Sequence, residues 1–345
     1  MAKRYKANYL KSVLVEILHK SGGNSQICSD VVNVAIGSSL RGLDTHGIAM
    51  VPKILDRCKE GRSQLLKPAE VIFREKNLSI AAIEGHLTPG QHSCLAATRL
   101  AKLLSSQSGI GLVTVRNSTH FGGCIPYLDE ILRDRMMGLV GSNSLRSMGA
   151  FGLSYPNLGN NPFGFAAPVS GGTDYIFDFS SAVMSFGRKS QLESDEIPVP
   201  KGAFKKNERE DTTEGVCEIS DSLSEIAEPF GGFKGASVAM MIEILSGVLG
   251  EGYVGEQTEM IQNGKFLGPS HFVLVINPAS LPSKNFEERM RFFVDGIRRD
   301  SKNVRIPGDR SLSFFKKRSR LGIPIDEGLM EKIKSLCREL DVRWQ

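Results

Sequence analysis

The sequence lacks the glycine-rich motifs with which many proteins hold nucleotide phosphates. No GxGxxG follows a predicted strand, and no GxxxxGK[ST] occurs among the 345 residues. In both motifs, glycines let backbone amides approach a phosphate closely. Their absence excludes a Rossmann fingerprint and a P-loop, so a bound dinucleotide would need a different scaffold.

The sequence is also poor in signals for metal binding and disulfides. Its six cysteines are scattered without a CxxC spacing, its six histidines are dispersed, and neither HExxH nor an EF-hand loop occurs. Metal sites and disulfide frameworks are recognised by such spacings. We therefore expect no bound metal and cysteines that stay reduced.

Long apolar runs are missing as well. No stretch approaches the roughly 18 apolar residues of a membrane span, and a polar, interrupted segment follows the basic first residues, unlike a signal peptide. We expect a cytoplasmic protein without a membrane partner.

The composition is that of an ordinary globular protein, with 41% hydrophobic and 23% charged residues and a net charge of +5. Basic residues cluster at 298–299 and 316–320 without interleaved aromatic residues. We interpret these clusters as solvated helix faces rather than as a nucleic-acid site. A mildly positive surface suits anionic substrates.

Helical periodicity and strand-like apolar runs alternate along the chain. Helices are predicted near 6–20, 24–40, 48–59, 89–107, 125–136, 236–250, 285–300 and 327–340. Strands are predicted near 70–84, 112–118, 138–144, 163–169 and 271–278, whereas 190–225 is polar and without periodicity. The alternation predicts a mixed α/β (α+β) fold that begins with a small helical unit.

Two histidines are candidates for acid–base chemistry. His120 follows a predicted strand and precedes two glycines, and His46 stands two residues after Asp44. Imidazole exchanges protons near neutral pH, and a neighbouring carboxylate can orient it or stabilise its cation. For His120, a histidine held by the turn backbone is an equally good interpretation. For Asp44 and His46, a helix end followed by an N-cap is the better one.

Two glycine-containing segments are shaped for turns or anions. Residues 158–165 combine asparagine and glycine, which tolerate left-handed backbone conformations. Residues 231–235 open a predicted helix with three glycines and Lys234, so an anion or a simple capping turn fits equally well.

Taken together, six segments resemble the malate/L-lactate dehydrogenase family in order and spacing. They are RGLDTHGI, VRNSTHFGG, LGNNPFGFAAP, FDFSSA, GGFKGASVAMMIEILSGVLG and IPGD. The family is unrelated to the Rossmann lactate dehydrogenases and includes ureidoglycolate, sulfolactate, 2,3-diketo-L-gulonate and piperideine-2-carboxylate oxidoreductases. The resemblance covers roughly residues 5–335.

The resemblance implies a non-Rossmann fold with a large mixed sheet flanked by helices, a homodimer, and NADH or NADPH as cofactor. It implies an NAD(P)-binding lobe over 71–270. Residues 1–70 would pack with about 270–345 to form a substrate and dimerisation lobe. The implied reaction moves a hydride to or from C2 of a small 2-oxo, 2-imino or 2-hydroxy acid.

The resemblance also carries residue roles to matching positions. His120 would donate and accept the proton, and Asp44 or another nearby acid would tune it. His46 would lie near the substrate with Thr45, and in some family members the matching histidine is proposed as the acid. Cofactor contacts would fall on Ser144, Asn143, Asn161, Asp178, Phe179, Ser180, Lys234, Gly308 and Asp309.

The sequence departs from the family at the substrate end. The family's carboxylate-binding arginine, four residues after the histidine of D-[ST]-HG, is replaced by Met50, and a thioether cannot substitute for a guanidinium. Three interpretations follow: the substrate lacks that carboxylate, another cation binds it, or the substrate is larger and more apolar, as for a biosynthetic imine reductase. For the second we expect Arg146 to compensate. A catalytically silent family member that acts as a binding protein is the alternative from a different class.

Overall fold

The structure is a computed structural model, and it describes residues 3–194, 196–208, 223–258, 261–262, 265–282, 285–299, 301 and 303–344. Of the predicted polar segment 190–225, residues 195 and 209–222 lie outside the described residues. No helix within the described ranges combines the length and apolar character of a membrane span.

Helices and strands alternate along the chain. The helices are α1 Ala7–Lys20, α2 Ser25–Leu40, α3 Met50–Lys59, α4 Gly90–Ser108, α5 Ile125–Leu132, α6 Phe186–Ser194, α7 Phe233–Glu243, α8 Phe286–Arg298, α9 Asp309–Leu321 and α10 Glu327–Glu339. The strands are β1 Lys3–Tyr5, β2 Glu70–Arg74, β3 Ile80–Glu84, β4 Ile110–Arg116, β5 Met137–Ser142, β6 Arg146–Met148, β7 Leu158–Gly159, β8 Phe163–Ala167, β9 Tyr175–Phe179, β10 Phe204–Lys206, β11 Glu225–Ala227, β12 Ile261–Gln262, β13 Lys265–Phe266, β14 His271–Ile276 and β15 Ile323–Ile325.

A seven-stranded mixed sheet forms the centre of the fold. Its strand order is β2-β3-β4-β14-β5-β8-β9, and β3–β4 is its parallel pair. Helices α4 and α5 pack on the sheet through buried aliphatic side chains such as Leu104, Leu128 and Ile131. This arrangement confirms the predicted large mixed sheet flanked by helices.

The N-terminal helices share a second hydrophobic core with the C-terminal end of the chain. Buried residues of α1, α2 and α3 pack with β15 and α10, as Leu14, Ile27, Val51, Ile323 and Ile333 illustrate. Strand β1 pairs with β15 in a separate two-stranded sheet. The small helical unit predicted at the N-terminus is therefore built together with the last strand and helix.

Some boundaries differ from the sequence predictions. Strand β14, which begins at His271, lies between β4 and β5 in the large sheet. The helix predicted over 125–136 ends earlier, at Leu132. The basic cluster at 316–320 lies on helix α9, but its Arg318 is buried instead of solvated.

Candidate active site

The loop between β4 and α5 carries His120 and is fixed at both ends. At its far end, Asp178 Oδ2 accepts hydrogen bonds from the backbone N–H groups of Cys124 at 2.7 Å and Ile125 at 3.2 Å. Near its start, a Cβ on Gly90 would lie 2.2 Å from the carbonyl oxygen of Thr119, so helix α4 meets the loop backbone directly. His120 is therefore displayed on a restrained segment.

His120 meets His46, which follows helix α2 in a short 3₁₀ turn. The two imidazole rings stack with centroids 5.4 Å apart and planes inclined by 14°. Thr45 Oγ1 lies 3.0 Å from His46 Nδ1. The structure thus brings together two histidines that lie 74 positions apart in the sequence.

The surroundings of His120 favour a neutral imidazole with its proton on Nε2. The backbone N–H of Gly122 donates to His120 Nδ1 at 3.1 Å, which leaves the ring proton on Nε2. Burial, with nearby His46 and the cations Arg57 and Lys53, holds the pKa of His120 well below its usual value of 6.5. Near neutral pH, His120 is therefore an uncharged hydrogen-bond donor.

The carboxylate of Asp44 pairs with Arg318 of helix α9. Its Oδ1 accepts a hydrogen bond from Arg318 NH1, and its Oδ2 accepts one from Arg318 NH2 at 2.9 Å. Arg318 NH1 also donates to the carbonyl oxygen of Ser39 at 2.6 Å. The carboxylate of Asp44 thus ties the His46 turn to helix α9, and the tuning of His120 by Asp44 stays a prediction.

Two adjoining cavities meet at the histidine pair. The first, of about 650 Å³, extends past Gly122 and Gly123 toward Ser144 and Ser180. The second, of about 810 Å³, extends along helix α3. His46, His120 and Thr45 line both cavities, so the imidazoles stand at their junction.

The lining of the first cavity fits an anionic ligand with many hydroxyl groups. Serine and asparagine side chains line it, and the guanidinium groups of Arg188 and Arg310 supply positive charge. A Cβ on Gly123 would lie 2.8 Å from Asp178 Oδ2, so a side chain there would displace the carboxylate. Burial raises the pKa of Asp178 to about 6.

The predicted cofactor residues divide between the first cavity and the protein scaffold. Asn143, Ser144, Asp178, Phe179 and Ser180 line the cavity. The other four, Asn161, Lys234, Gly308 and Asp309, do not line it. Sequence reasoning missed Arg188 and Arg310, although Arg310 directly follows the IPGD segment.

The residues that do not line this cavity have other positions. Asp309 accepts two hydrogen bonds from Arg298, at 2.6 and 2.7 Å, and Gly308 precedes helix α9 with φ of 110°. Lys234 is exposed in the first turn of α7. The carboxylate of Asp309 is thus already engaged, and the neighbouring Arg310 is the residue that reaches the cavity.

Two of the predicted asparagines belong to a buried network that centres on Glu243 of α7. Glu243 Oε1 accepts hydrogen bonds from Asn143 Nδ2 and the Gly255 N–H, both at 3.0 Å. Its Oε2 accepts from Asn161 Nδ2 at 2.8 Å. Asn161 Oδ1 in turn accepts from the Ser144 N–H at 3.0 Å. The network fixes the loop that presents Ser144 to the first cavity.

Arg146 does not line either cavity. Its side chain is buried, and its NH1 lies 3.5 Å from the carbonyl oxygen of Pro156 and 3.6 Å from Glu256 Oε1. The expectation that Arg146 replaces the missing carboxylate-binding arginine is therefore not supported. Met50, in contrast, lies in the second cavity near both histidines.

Within the described ranges, no group of three or more histidine, cysteine or carboxylate side chains could hold a metal ion.

Comparisons with known proteins identify the family to which this chain belongs and the solved structures that share its fold. The family model for malate/L-lactate dehydrogenase matches residues 5–334. The malate/(S)-sulfolactate dehydrogenase of Methanothermus fervidus is 28% identical over 337 residues, which are 96% of either chain. The malate dehydrogenase structure from Entamoeba histolytica has the same fold, with a TM-score of 0.88, 22% identity and coverage of 100% of this chain and 99% of that chain. The Δ1-piperideine-2-carboxylate reductase structure from Pseudomonas syringae pvar. tomato matches with a TM-score of 0.85, 20% identity and coverage of 97% and 99%. The family model matches nearly the whole chain, and the chain belongs to the malate/L-lactate dehydrogenase family.

Proposed function

We propose that this protein is an NAD(P)H-dependent oxidoreductase of 2-oxo, 2-imino or 2-hydroxy acids, with His120 as the group that exchanges the proton. Membership in the dehydrogenase family supports the reaction class. The observation that carries the proposal is the position of His120, which lines both cavities where they join. A substrate in one cavity and a cofactor in the other would meet at its imidazole.

The residues of the first cavity fit a nicotinamide dinucleotide. Ser144 and Ser180 offer hydroxyl groups for ribose or phosphate oxygens, and Arg188 and Arg310 offer positive charge for the phosphates. Gly123 lets the loop after His120 lie against Asp178 at this cavity, since a Cβ there would lie 2.8 Å from Oδ2. When bound, the nicotinamide supplies or takes up the hydride at its C4.

The chain's own groups handle the proton and the developing charge. During reduction, negative charge develops on the substrate oxygen or nitrogen, and His120 Nε2–H donates a hydrogen bond to that atom. The neutral ring transfers this proton as the anion forms, and it is reprotonated at Nε2 from solvent before the next turnover. The Gly122 N–H holds the ring through Nδ1. His46 stacks on the ring, and Thr45 bonds to His46, so these two residues position His120.

A cofactor titration with turnover tests the proposal. We expect the protein to bind NADH or NADPH, seen as a change in reduced-nicotinamide fluorescence, and to oxidise the bound cofactor when 2-oxo acids or cyclic imino acids are added. The variant Arg310→Met is expected to raise the cofactor Kd by roughly 10-fold, the loss of one charged hydrogen bond. Arg133→Met removes an arginine that is 73% exposed and does not line the cavity, and it serves as the matched control, with Kd unchanged. A protein that binds neither cofactor would instead be a binding protein that retains the family fold.

A further inference from the structure

Helix α3 presents two cations to the cavity that contains the histidines. Met50, Lys53 and Arg57 follow one another at intervals of three and four residues, so they share one helical face. All three line the second cavity with His46 and His120. Residues seven positions apart on a helix are separated by about 10 Å along its axis.

Arg57 is poised for a ligand. Its NH1 is inaccessible to solvent and finds no hydrogen-bond partner in the described part of the chain. Buried guanidinium nitrogens are normally hydrogen-bonded, because leaving one without an acceptor costs free energy. Arg57 lines the second cavity beside Lys53. An anion there would meet NH1 only after a shift of the side chain, which would give this nitrogen an acceptor.

Among the described residues, the carboxylates of the same cavity form no ion pair with these cations. Asp44 is held by Arg318, and Asp326 Oδ1 accepts the Leu329 N–H at 2.8 Å at the start of α10. The positive charge reaches the histidines, since Lys53 and Arg57 both help to lower the pKa of His120. Lys53 also contributes, after burial, to the lowered pKa of His46.

Met50 separates the two cations from the histidine pair. Its side chain is buried and apolar, with flexible torsions that adapt to aliphatic chains. Helical side chains lean toward the helix N-terminus, which brings the guanidinium of Arg57 closer to Met50 than their Cα spacing indicates. An acidic group of the ligand that binds Lys53 and Arg57 would therefore lie about one helical turn, ~5 Å, farther along α3 than a group that contacts Met50.

We propose that Lys53 and Arg57 form a distal anion subsite, so that the substrate is an elongated 2-oxo or 2-imino acid with a second anionic group at its far end. The methylenes between the reacting carbon and that group pack on Met50. The subsite rests on the proposed oxidoreductase function, because it defines which substrate that function takes.

Two probes with equal carbon chains test the subsite by turnover. 2-Oxoadipate carries a terminal carboxylate that 2-oxohexanoate lacks. We expect kcat/KM for 2-oxoadipate to be larger by about 10- to 100-fold, the range of one or two charged hydrogen bonds, and Arg57→Met to remove most of that preference through KM. Lys59→Met, an exposed change on the same helix, is the matched control. Met50→Arg is expected to shift the preference toward pyruvate.

An equilibrium measurement separates the subsite from the reaction. Adipate cannot be reduced at C2, so its binding by calorimetry reports the subsite without turnover. We expect adipate to bind the protein and Arg57→Met to weaken it by about 10-fold or more. Binding that depends on Arg57 without any cofactor oxidation would retain the subsite and contradict the proposed function. Equal adipate binding by the wild type and Arg57→Met, or equal turnover of the two oxo acids, would overturn the subsite while leaving the reaction class intact.

Discussion

Replacing His120 with alanine is expected to lower kcat by roughly 10²- to 10⁴-fold, the usual contribution of a positioned proton donor. His120 lies at the junction of both cavities, and its Nε2–H is the free donor of the ring. The Kd for the reduced cofactor is expected to change little, because the hydroxyl and guanidinium groups that fit the dinucleotide are untouched. Stopped-flow turnover and fluorescence titration measure the two quantities separately.

The control for this change is His19→Ala, which removes an exposed imidazole from the last turn of α1 and should leave kcat unaltered.

The lowered pKa of His120 adds a second expectation for the wild type. Because the ring stays neutral below pH 6.5, kcat for reduction should not rise as the pH falls through 6.5. Unaltered turnover in His120→Ala would remove the residue from the mechanism.

Replacing Glu243 with alanine is expected to cost roughly 2–5 kcal/mol of unfolding free energy, because donors that pointed at a buried carboxylate lose their acceptor. The Gly255 N–H loses its acceptor outright, and Asn143 and Asn161 each lose one of the bonds that fix them. Midpoints of urea denaturation, with the cofactor absent, measure the difference.

Two further variants show whether the network causes this loss. Glu243→Gln keeps one acceptor oxygen but turns an amide N–H₂ toward a neighbouring donor, so an intermediate cost is expected. Glu251→Ala removes a carboxylate that is 84% exposed, and it should cost less than about 1 kcal/mol. A Glu243→Ala protein as stable as the Glu251→Ala protein would show that the buried hydrogen bonds contribute nothing.

Local patterns in the sequence predicted most elements of the fold. Helices α1 and α2 follow from their apolar spacing, and Asn24 caps α2 through its side-chain oxygen. Runs of β-branched residues marked β4 and β14. The insertion of β14 between β4 and β5 was not predictable, because strand order depends on contacts between distant segments and not on local periodicity.

The candidate site was predictable where family motifs fix the residue type. The motifs pointed to His46, His120 and Ser144, and the structure gathers them around the first cavity. They did not reveal that Asp44 pairs with Arg318, 274 positions away, because either residue alone fits a surface turn or a solvated helix. The acidic Glu243, at the end of a largely apolar helix, was the sequence signal of a buried polar network. Arg57 gave no sequence signal of a site, because surface helices commonly carry arginine.

The direct test of the central claim is transfer of label from the cofactor to the substrate carbon. The protein would be incubated with reduced cofactor deuterated at C4 of the nicotinamide and with 2-oxo acids, and the product examined by NMR and mass spectrometry. The account predicts deuterium at C2 of the hydroxy acid, delivered from one face of the nicotinamide. It also predicts that this transfer is slower in His120→Ala. A product without deuterium at C2, or no product from any acid with a cofactor that binds, would contradict it.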